Sequence, residues 1–477
     1  MTLDDLLARL RECPLIASVQ SSEGSPADGP EFFLPMALAH RQEGVTVLRL
    51  QGAENIRRVR AGTGLPTIGL IKRTYADSEV YITAAKREVD EALAAGAEVV
   101  ALDATARSRP GGESLADLIA RIHAGGALAM ADCDSVASAE YAAASGADLI
   151  GTTLAGYTSA RAATRGPDLE FLREIVSIAD RPVIAEGRYS QRWEVEAALR
   201  IGAAAVVVGG ALNDPIKTTR ALRPTPWLED GARIGAVDIG GTWLRFGVFT
   251  PDWQLEGIDR TRNPQSRHDR IGWIRERIAE TGVCRVGVGT GGIVDPETGV
   301  CWTAKEYLMP DQIGIEFSEA TLGVPTYAHG DGHATAWGHA CLPRFAGRRV
   351  ASLALGTGVG CGFVRDGHIW AGRRGEYPRI NDLPGPKGRS YEDLLGGINL
   401  TSDPTEAQRA DAVAALEGAL KALQDLYFPD DLIVCGSVGL SPWLSPHLER
   451  LGASPSPFGP DAGLYGAAAL ALYPNFQ

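Results

Sequence analysis

The chain has 477 residues, 45% of them apolar and 22% charged; at about 50–250 residues per domain this makes at least two globular units with ample core, not a disordered or fibrous chain. Its net charge is -13 and no Lys/Arg cluster stands out, which argues against a nucleic-acid partner and favours small molecules. The seven cysteines form no close pair, so neither a disulfide framework nor a metal knuckle is indicated, and most are expected to be buried thiols. The amino-terminal "MTLDDLLARLRECPL" is acidic where a signal peptide is basic, and no apolar run approaches the ~20 residues of a membrane span. The cytoplasm is the expected compartment, with no membrane partner.

Up to about residue 225, β-rich apolar runs alternate with Ala-rich amphipathic stretches, as when crossover helices join parallel strands. Eight runs are present: "LIASVQ" from Leu15, "VTVLRLQG" from Val45, "PTIGLIK" from Pro66, "VVALDAT" from Val99, "ALAMADC" from Ala127, "LIGTTLAGY" from Leu149, "PVIAEGR" from Pro182 and "AAVVVGGAL" from Ala204. The fold class is α/β, and eight βα units in this length predict a (β/α)8 TIM barrel over residues 1–228.

Polar residues close seven of these runs: Gln20, Arg49, Lys72, Asp103, Asp132, Thr153 and Glu186. Loops begin there in any protein, but this is also the edge where barrel active sites form. A Lys and a carboxylate on separate strand ends suit proton transfer beside a carbonyl, because burial and neighbouring charge move each towards neutrality. The alternative for Lys72 and Glu186 is a salt bridge closing the mouth. The glycine turns "AEGRY" and "VGGAL", after the seventh and eighth runs, leave backbone N–H groups where barrels hold phosphate.

The strings "SVQ", "RLQG", "GLIKR", "VYIT", "ALDAT", "HAGGALAMADC", "GTTLAGYT", "PDLEFL" and "VIAEGRY" closely resemble N-acetylmannosamine-6-phosphate 2-epimerases over about residues 13–215. The resemblance implies interconversion of N-acetylmannosamine 6-phosphate and N-acetylglucosamine 6-phosphate, with Lys72 as the C2 acid–base residue and Glu186 assisting. It implies a substrate site at Gln20, Arg49, Asp132, Thr153, Gly187, Arg188, Gly209 and Gly210. One departure stands out: the family usually continues with Gly-Ser and then Arg-Pro, whereas "VGGALNDP" has Gly210 and Asp214 there. A carboxylate for a phosphate-facing cation weakens phosphate binding unless Arg188 or Lys217 compensates.

Two prolines and a glycine in "RALRPTPWLEDGARIG" mark a linker near residue 230. A second domain is expected over 233–477. It opens on "AVDIGGTWLRFGVF", strand, Gly-Gly turn, strand, where only glycine lets backbone close on a phosphate. Alone this is an ordinary hairpin turn. A second such turn in "ASLALGTGVGCGFV" makes the pair expected of the actin-like, two-lobed sugar-kinase fold, and neither matches GxxxxGK[ST]. Between them, "YAHGDGHATAWGHA" sets Asp331 between a strand and an Ala-rich helix, as a base for a hydroxyl proton or as a helix cap.

In order, "DIGGT", "GTGGIVDPETG", "HGDGHATAWG", "LGTGVGCG", "GEYPRINDL", "IVCGSVGL" and "DAGLYGAAALA" resemble the ROK family of sugar kinases over about residues 234–473. Beside an epimerase, this implies a fusion that phosphorylates N-acetylmannosamine at O6 in sialic-acid catabolism, using ATP and Mg2+. The resemblance carries Asp331 to the catalytic base, Asp238, Gly240, Gly241, Thr242, Thr357, Gly358, Gly360 and Gly436 to ATP and its phosphates, and Gly291, Gly330, Glu376 and Glu392 to the sugar. It also implies a homo-oligomer.

Many ROK proteins carry a His after the Gly-Glu pair and a CxCGxxGC zinc loop; "GEYPRINDLPGPKGRSYEDL" has neither, so no zinc and no other resident metal is expected. The asparagine usual before the base is Gly330. His329, His333 and His339 read as loop and helix surface rather than ligands. The competing functional readings are a kinase half acting on another hexose, or a non-catalytic sugar-binding module.

Overall fold

Contacts between Cα atoms divide the chain into two compact units, Met1–Arg223 and Pro224–Gln477. The computed structural model describes residues 1–22, 24–164, 166–223, 228, 231–307, 309–377, 379–400 and 403–474. The linker expected near residue 230 falls largely outside the described residues.

In the first unit β1 (Leu15–Val19), β2 (Leu48–Gln51), β3 (Thr67–Leu70), β4 (Val99–Asp103), β5 (Leu128–Asp132), β6 (Leu149–Gly151), β7 (Val183–Glu186) and β8 (Ala205–Val208) form a closed barrel in sequence order. β8 returns to pair in parallel with β1. All eight predicted runs contain a strand, because each is a short apolar stretch bounded by polar or glycine-bearing loops.

Alternation along the strands then assigns the site. Ile16, Ile68, Leu70, Val99, Ala101, Met130, Ile184, Ala205 and Val207 share one core cluster with Leu6 and Leu10 of the helix Leu3–Glu12. Their strand neighbours, such as Val100, Ala129, Ala185 and Val206, belong to another cluster with the helices. Side chains two apart point the same way. Continuing each inward row by one step reaches Lys72, Asp103, Asp132 and Glu186, and Val47 leads to Arg49. The apolar interior and the charged mouth are thus one pattern.

In the second unit the strands are β9 (Ile234–Ile239), β10 (Trp243–Phe249), β11 (Leu255–Arg262), β12 (Arg285–Thr290), β13 (Ile293–Val294), β14 (Cys301–Thr303), β15 (Thr326–Gly330), β16 (Val350–Leu355), β17 (Val359–Arg365), β18 (His368–Ile369), β19 (Asp431–Cys435) and β20 (Ser454–Pro455). They make two five-stranded sheets, β11-β10-β9-β12-β15 and β18-β17-β16-β19-β20, and a separate β13-β14 pair. Each large sheet is built alike, an antiparallel hairpin whose first strand pairs in parallel with a later one. This is the two-lobed, hexokinase-type arrangement, and each hairpin carries one of the glycine turns.

The helix Asp331–Ala340 packs against strands of both large sheets and against the helix Ala462–Leu472. Backbones nearly touch there: a Cβ on Gly338 would stand 2.9 Å from Gly466 Cα, and one on Gly466 2.6 Å from the Ala334 carbonyl carbon. Among the described residues no helix is long and apolar enough to cross a membrane. All seven cysteines are free thiols, four of them buried.

Candidate active sites

The barrel mouth holds a cavity of about 780 Å³. Arg49 organises it. Its fully buried guanidinium donates to both Asp132 oxygens, Nη2–Oδ2 at 2.6 Å and Nη1–Oδ1 at 3.3 Å, and lies 3.2 Å from Glu186 Oε2. Asp132 is itself fully buried and does not line the cavity. Its carboxylate holds Arg49 in place.

Thr153 Oγ1 donates to Asp132 Oδ1 at 2.6 Å and lies 3.1 Å from Glu186 Oε2. A hydroxyl has one proton, so the second contact is satisfied when Glu186 carries its own. Glu186 is disposed to do so: burial, outweighing the Arg49 charge and aided by Asp132, raises it to about 7. Burial and then the Arg49 charge lower Lys72 from its ordinary value. Lys72 Nζ donates to Gln20 Oε1 at 2.9 Å, and Gln20 Nε2 to Ser18 Oγ at 2.7 Å. Among the described residues Lys72 and Glu186 form no ion pair. The salt-bridge alternative is not what the fold builds; each group is brought towards neutrality instead.

Gly187, Arg188, Gly209 and Gly210 line the same cavity. Arg188 has φ +59°, a region that costs a non-glycine residue about 1–2 kcal/mol. It is held there by Ala155 O at 2.9 Å, Gly166 O at 3.0 Å, Thr164 Oγ1 at 3.0 Å and the Tyr157 ring 5.5 Å away. Asp214 has a structural task of its own. It is buried and caps the helix Pro215–Leu222, accepting from Ile216 N at 3.0 Å, Lys217 N at 3.1 Å and Ser22 Oγ at 2.6 Å. Asp214→Ala is therefore expected to lose about 1 kcal/mol of barrel stability, read as a lower urea midpoint for the transition of this unit.

In the second unit a cavity of about 440 Å³ gathers Asp238, Gly240, Gly241, Thr242, Thr357, Gly358, Gly360, Gly436, Gly291, Asp331 and Glu392. The two glycine turns meet in it, Thr242 Oγ1 and Thr357 Oγ1 standing 3.1 Å apart. Asp238 Oδ2 accepts from Arg245 Nε at 2.9 Å. Asp331 is the first residue of its helix, after Gly330 at the cap, and its Oδ1 accepts from Gly332 N at 2.7 Å. Burial raises Asp331 to about 7; the Gly332 amide opposes this, and the charges of Asp238 and Glu392 add to it. Glu392 Oε2 accepts from Val359 N at 3.0 Å and lies 3.3 Å from Lys305 Nζ. Two expected sugar residues are not brought in. Glu376 turns back to accept from Arg374 N at 2.8 Å, and Gly330 is buried at the end of β15 without lining the cavity.

No three of His, Cys, Asp and Glu are gathered for a metal ion among the described residues. Asp238 and the Thr242 and Thr357 hydroxyls line this cavity as hard oxygen donors.

Residues 33–223 match the NanE family, described as "Putative N-acetylmannosamine-6-phosphate epimerase", and residues 234–380 match the ROK family. The bifunctional enzyme NanE/NanK of Brucella melitensis biotype 1 is 31% identical over 512 aligned residues, covering 98% of this chain and 98% of that one. This chain belongs to the bifunctional NanE/NanK family. Among solved structures, the N-acetylmannosamine-6-phosphate 2-epimerase from Clostridium perfringens is 40% identical, covers 46% of this chain and 94% of its own, and has a TM-score of 0.45. A ROK family glucokinase from Streptomyces griseus, in complex with glucose and AMPPNP, is 20% identical, covering 50% and 99%, with a TM-score of 0.43.

As a NanE/NanK protein it is an enzyme with an epimerase half and a kinase half. Its kinase half corrects one expectation, because His329, His333 and His339 are buried rather than superficial. The cause is the helix Asp331–Ala340, enclosed between the sheets. His333 Nδ1 lies 3.1 Å from His329 Nδ1, and His339 bridges Ser352 and Ser456. Burial lowers His333 and His339 to about 3, so both are neutral at physiological pH.

The NanE/NanK kinase half also holds a group that sequence reading missed. Arg270, fully buried, donates to Asn263 Oδ1, Gln312 Oε1, Pro264 O and Pro310 O. Asn263 Nδ2 in turn donates to Gly240 O and Gln312 Nε2 to Thr290 Oγ1, so one guanidinium supports both the first phosphate turn and the end of β12. Acceptors from residues 263 to 312 leave no local motif to find.

Proposed function

We propose that the C-terminal unit transfers the γ-phosphoryl group of ATP to O6 of N-acetylmannosamine, and that the barrel interconverts N-acetylmannosamine 6-phosphate and N-acetylglucosamine 6-phosphate. The observation that carries the epimerase step is placement. β3 and β7 are four strands apart in a closed barrel of eight, so Lys72 and Glu186 approach the mouth from opposite sides. A ring-opened sugar between them offers one face of C2 to each. Neutral Lys72 removes the C2 proton, the Arg49 guanidinium holds the oxyanion of the enolate so formed, and protonated Glu186 returns a proton on the other face. Each turnover leaves the two groups with exchanged protonation, which is the state that runs the reaction backwards.

In the kinase, Asp331 accepts the O6 proton while the two glycine turns and Thr242 and Thr357 hold the phosphates in line. Asp238, with the Thr242 and Thr357 hydroxyls, would hold a magnesium ion arriving with the nucleotide, which would supply charge neutralisation to the phosphates. Glu392 and Lys305 face the sugar end.

The test is a coupled assay with N-acetylmannosamine and Mg-ATP, followed by NMR, with glucose and N-acetylglucosamine in parallel. The expected sequence is ADP with N-acetylmannosamine 6-phosphate, then N-acetylglucosamine 6-phosphate. No ADP with this sugar would overturn the kinase assignment, and arrest at the first phosphate would overturn that of the barrel. Since Asp331 works ionised, kinase kcat/KM should rise with pH up to about 7 and level off above it. A flat profile across that range would remove Asp331 as the base.

A further inference from the structure

Two cations from the segments after β7 and β8 line the cavity, Arg188 and Lys217. The loops after β7 and β8 are where barrels take phosphate. Three of the Arg188 donors are already committed to protein acceptors. Lys217 is differently placed. Its Nζ stands 3.8 Å from Asp214 Oδ2, beyond hydrogen-bonding distance, and the side chain is 62% exposed at the cavity edge. Its stem runs over Gly210: a Cβ there would lie 3.0 Å from Lys217 Cδ and 3.7 Å from Nζ. Any side chain at that position would crowd the stem. Asp214 meanwhile caps the helix that carries Lys217. The ammonium also stands near enough to Lys72 to add to the lowering begun by burial and Arg49.

We propose that Lys217 receives the 6-phosphate of the sugar in this chain, and that Gly210 and Asp214 accompany it, one leaving room for its stem and the other fixing its helix. The ligand class is a sugar phosphomonoester. The proposal rests on the epimerase reading above. A lysine suits the task as a compact point charge that meets a phosphate with its three donors, where arginine would grip two oxygens in a plane.

The experiment uses the full-length protein with Lys217→Met, Lys217→Arg and Gly210→Ser. Calorimetric titration with N-acetylglucosamine 6-phosphate, and with uncharged N-acetylglucosamine as control, is compared with wild type. Lys217→Met should weaken the phosphate ester about tenfold and leave the neutral sugar unchanged, the loss of one charge-assisted contact. Lys217→Arg should recover most of the affinity, and Gly210→Ser should fall between. In epimerase assays started from N-acetylmannosamine 6-phosphate, Lys217→Met should raise KM by about the same factor with kcat little changed. Equal affinity of wild type and Lys217→Met for the phosphate ester would overturn the proposal, as would equal losses for charged and neutral sugars. Wild type that binds the ester through Lys217 yet never epimerises it would sink the reading of the barrel and leave this one standing.

Discussion

Asp331→Asn should form ADP at least about a thousandfold more slowly than wild type, within the range that a positioned general base contributes, while epimerase activity from N-acetylmannosamine 6-phosphate is unchanged. Asparagine keeps the shape and can still accept the Gly332 N–H, but it cannot take a proton. The substitution does not remove the helix cap, because Gly330 rather than Asp331 stands there. Stability should move the other way. The Asp331 carboxyl is raised from 3.8 to about 7, so folding disfavours its ionised form; wild type loses stability as pH rises from about 4 towards 7, and asparagine incurs no such loss. At pH 8 the variant should melt at or above wild type. A variant that melts lower and loses both activities together would assign Asp331 to structure.

Lys72→Met should abolish the second step by a similar factor while ADP production continues, so that N-acetylmannosamine 6-phosphate accumulates. Methionine matches the lysine stem closely and removes only the amine. The wild type, run in deuterium oxide, should place solvent deuterium at C2 of the product, and Lys72→Met should place none. Residual exchange in the variant at wild-type rate would move the proton-abstracting role to Glu186. Because Lys72 donates to Gln20 and not to Glu186, the variant should also leave the Glu186–Arg49 contact intact.

Barrel strands and the polar row at their ends were legible because period-2 alternation is local: Ile68, Leu70 and Lys72 announce their shared face within five residues. The two glycine turns were legible for the same reason. What escaped is what depends on chain segments far apart. Asp214 reads from the sequence only as a carboxylate where a cation is expected; its capping role also depends on Ser22, from the other end of the barrel unit, which donates to it at 2.6 Å. Arg270 reads as one more charge on an amphipathic helix, yet four neutral acceptors enclose it. The histidines were misjudged since the burial of Asp331–Ala340 follows from two sheets and a second helix, none visible in its own polar sequence. The direction of Glu376, which accepts from Arg374 N two residues back, is likewise not written in its motif.

The crossing of Asp331–Ala340 with Ala462–Leu472 gives the family strings another meaning. Gly332, Gly338 and Gly466 each face backbone so closely that any added carbon would collide, the first with Cys361 O at 2.4 Å. Two of the strings by which the kinase half is recognised, "HGDGHATAWG" and "DAGLYGAAALA", are the two sides of this crossing. Only one residue in them, Asp331, does the proposed chemistry. The three glycines are held by sterics instead, so a chain whose base had been replaced would keep these close-packed stretches for as long as the backbones stayed in contact.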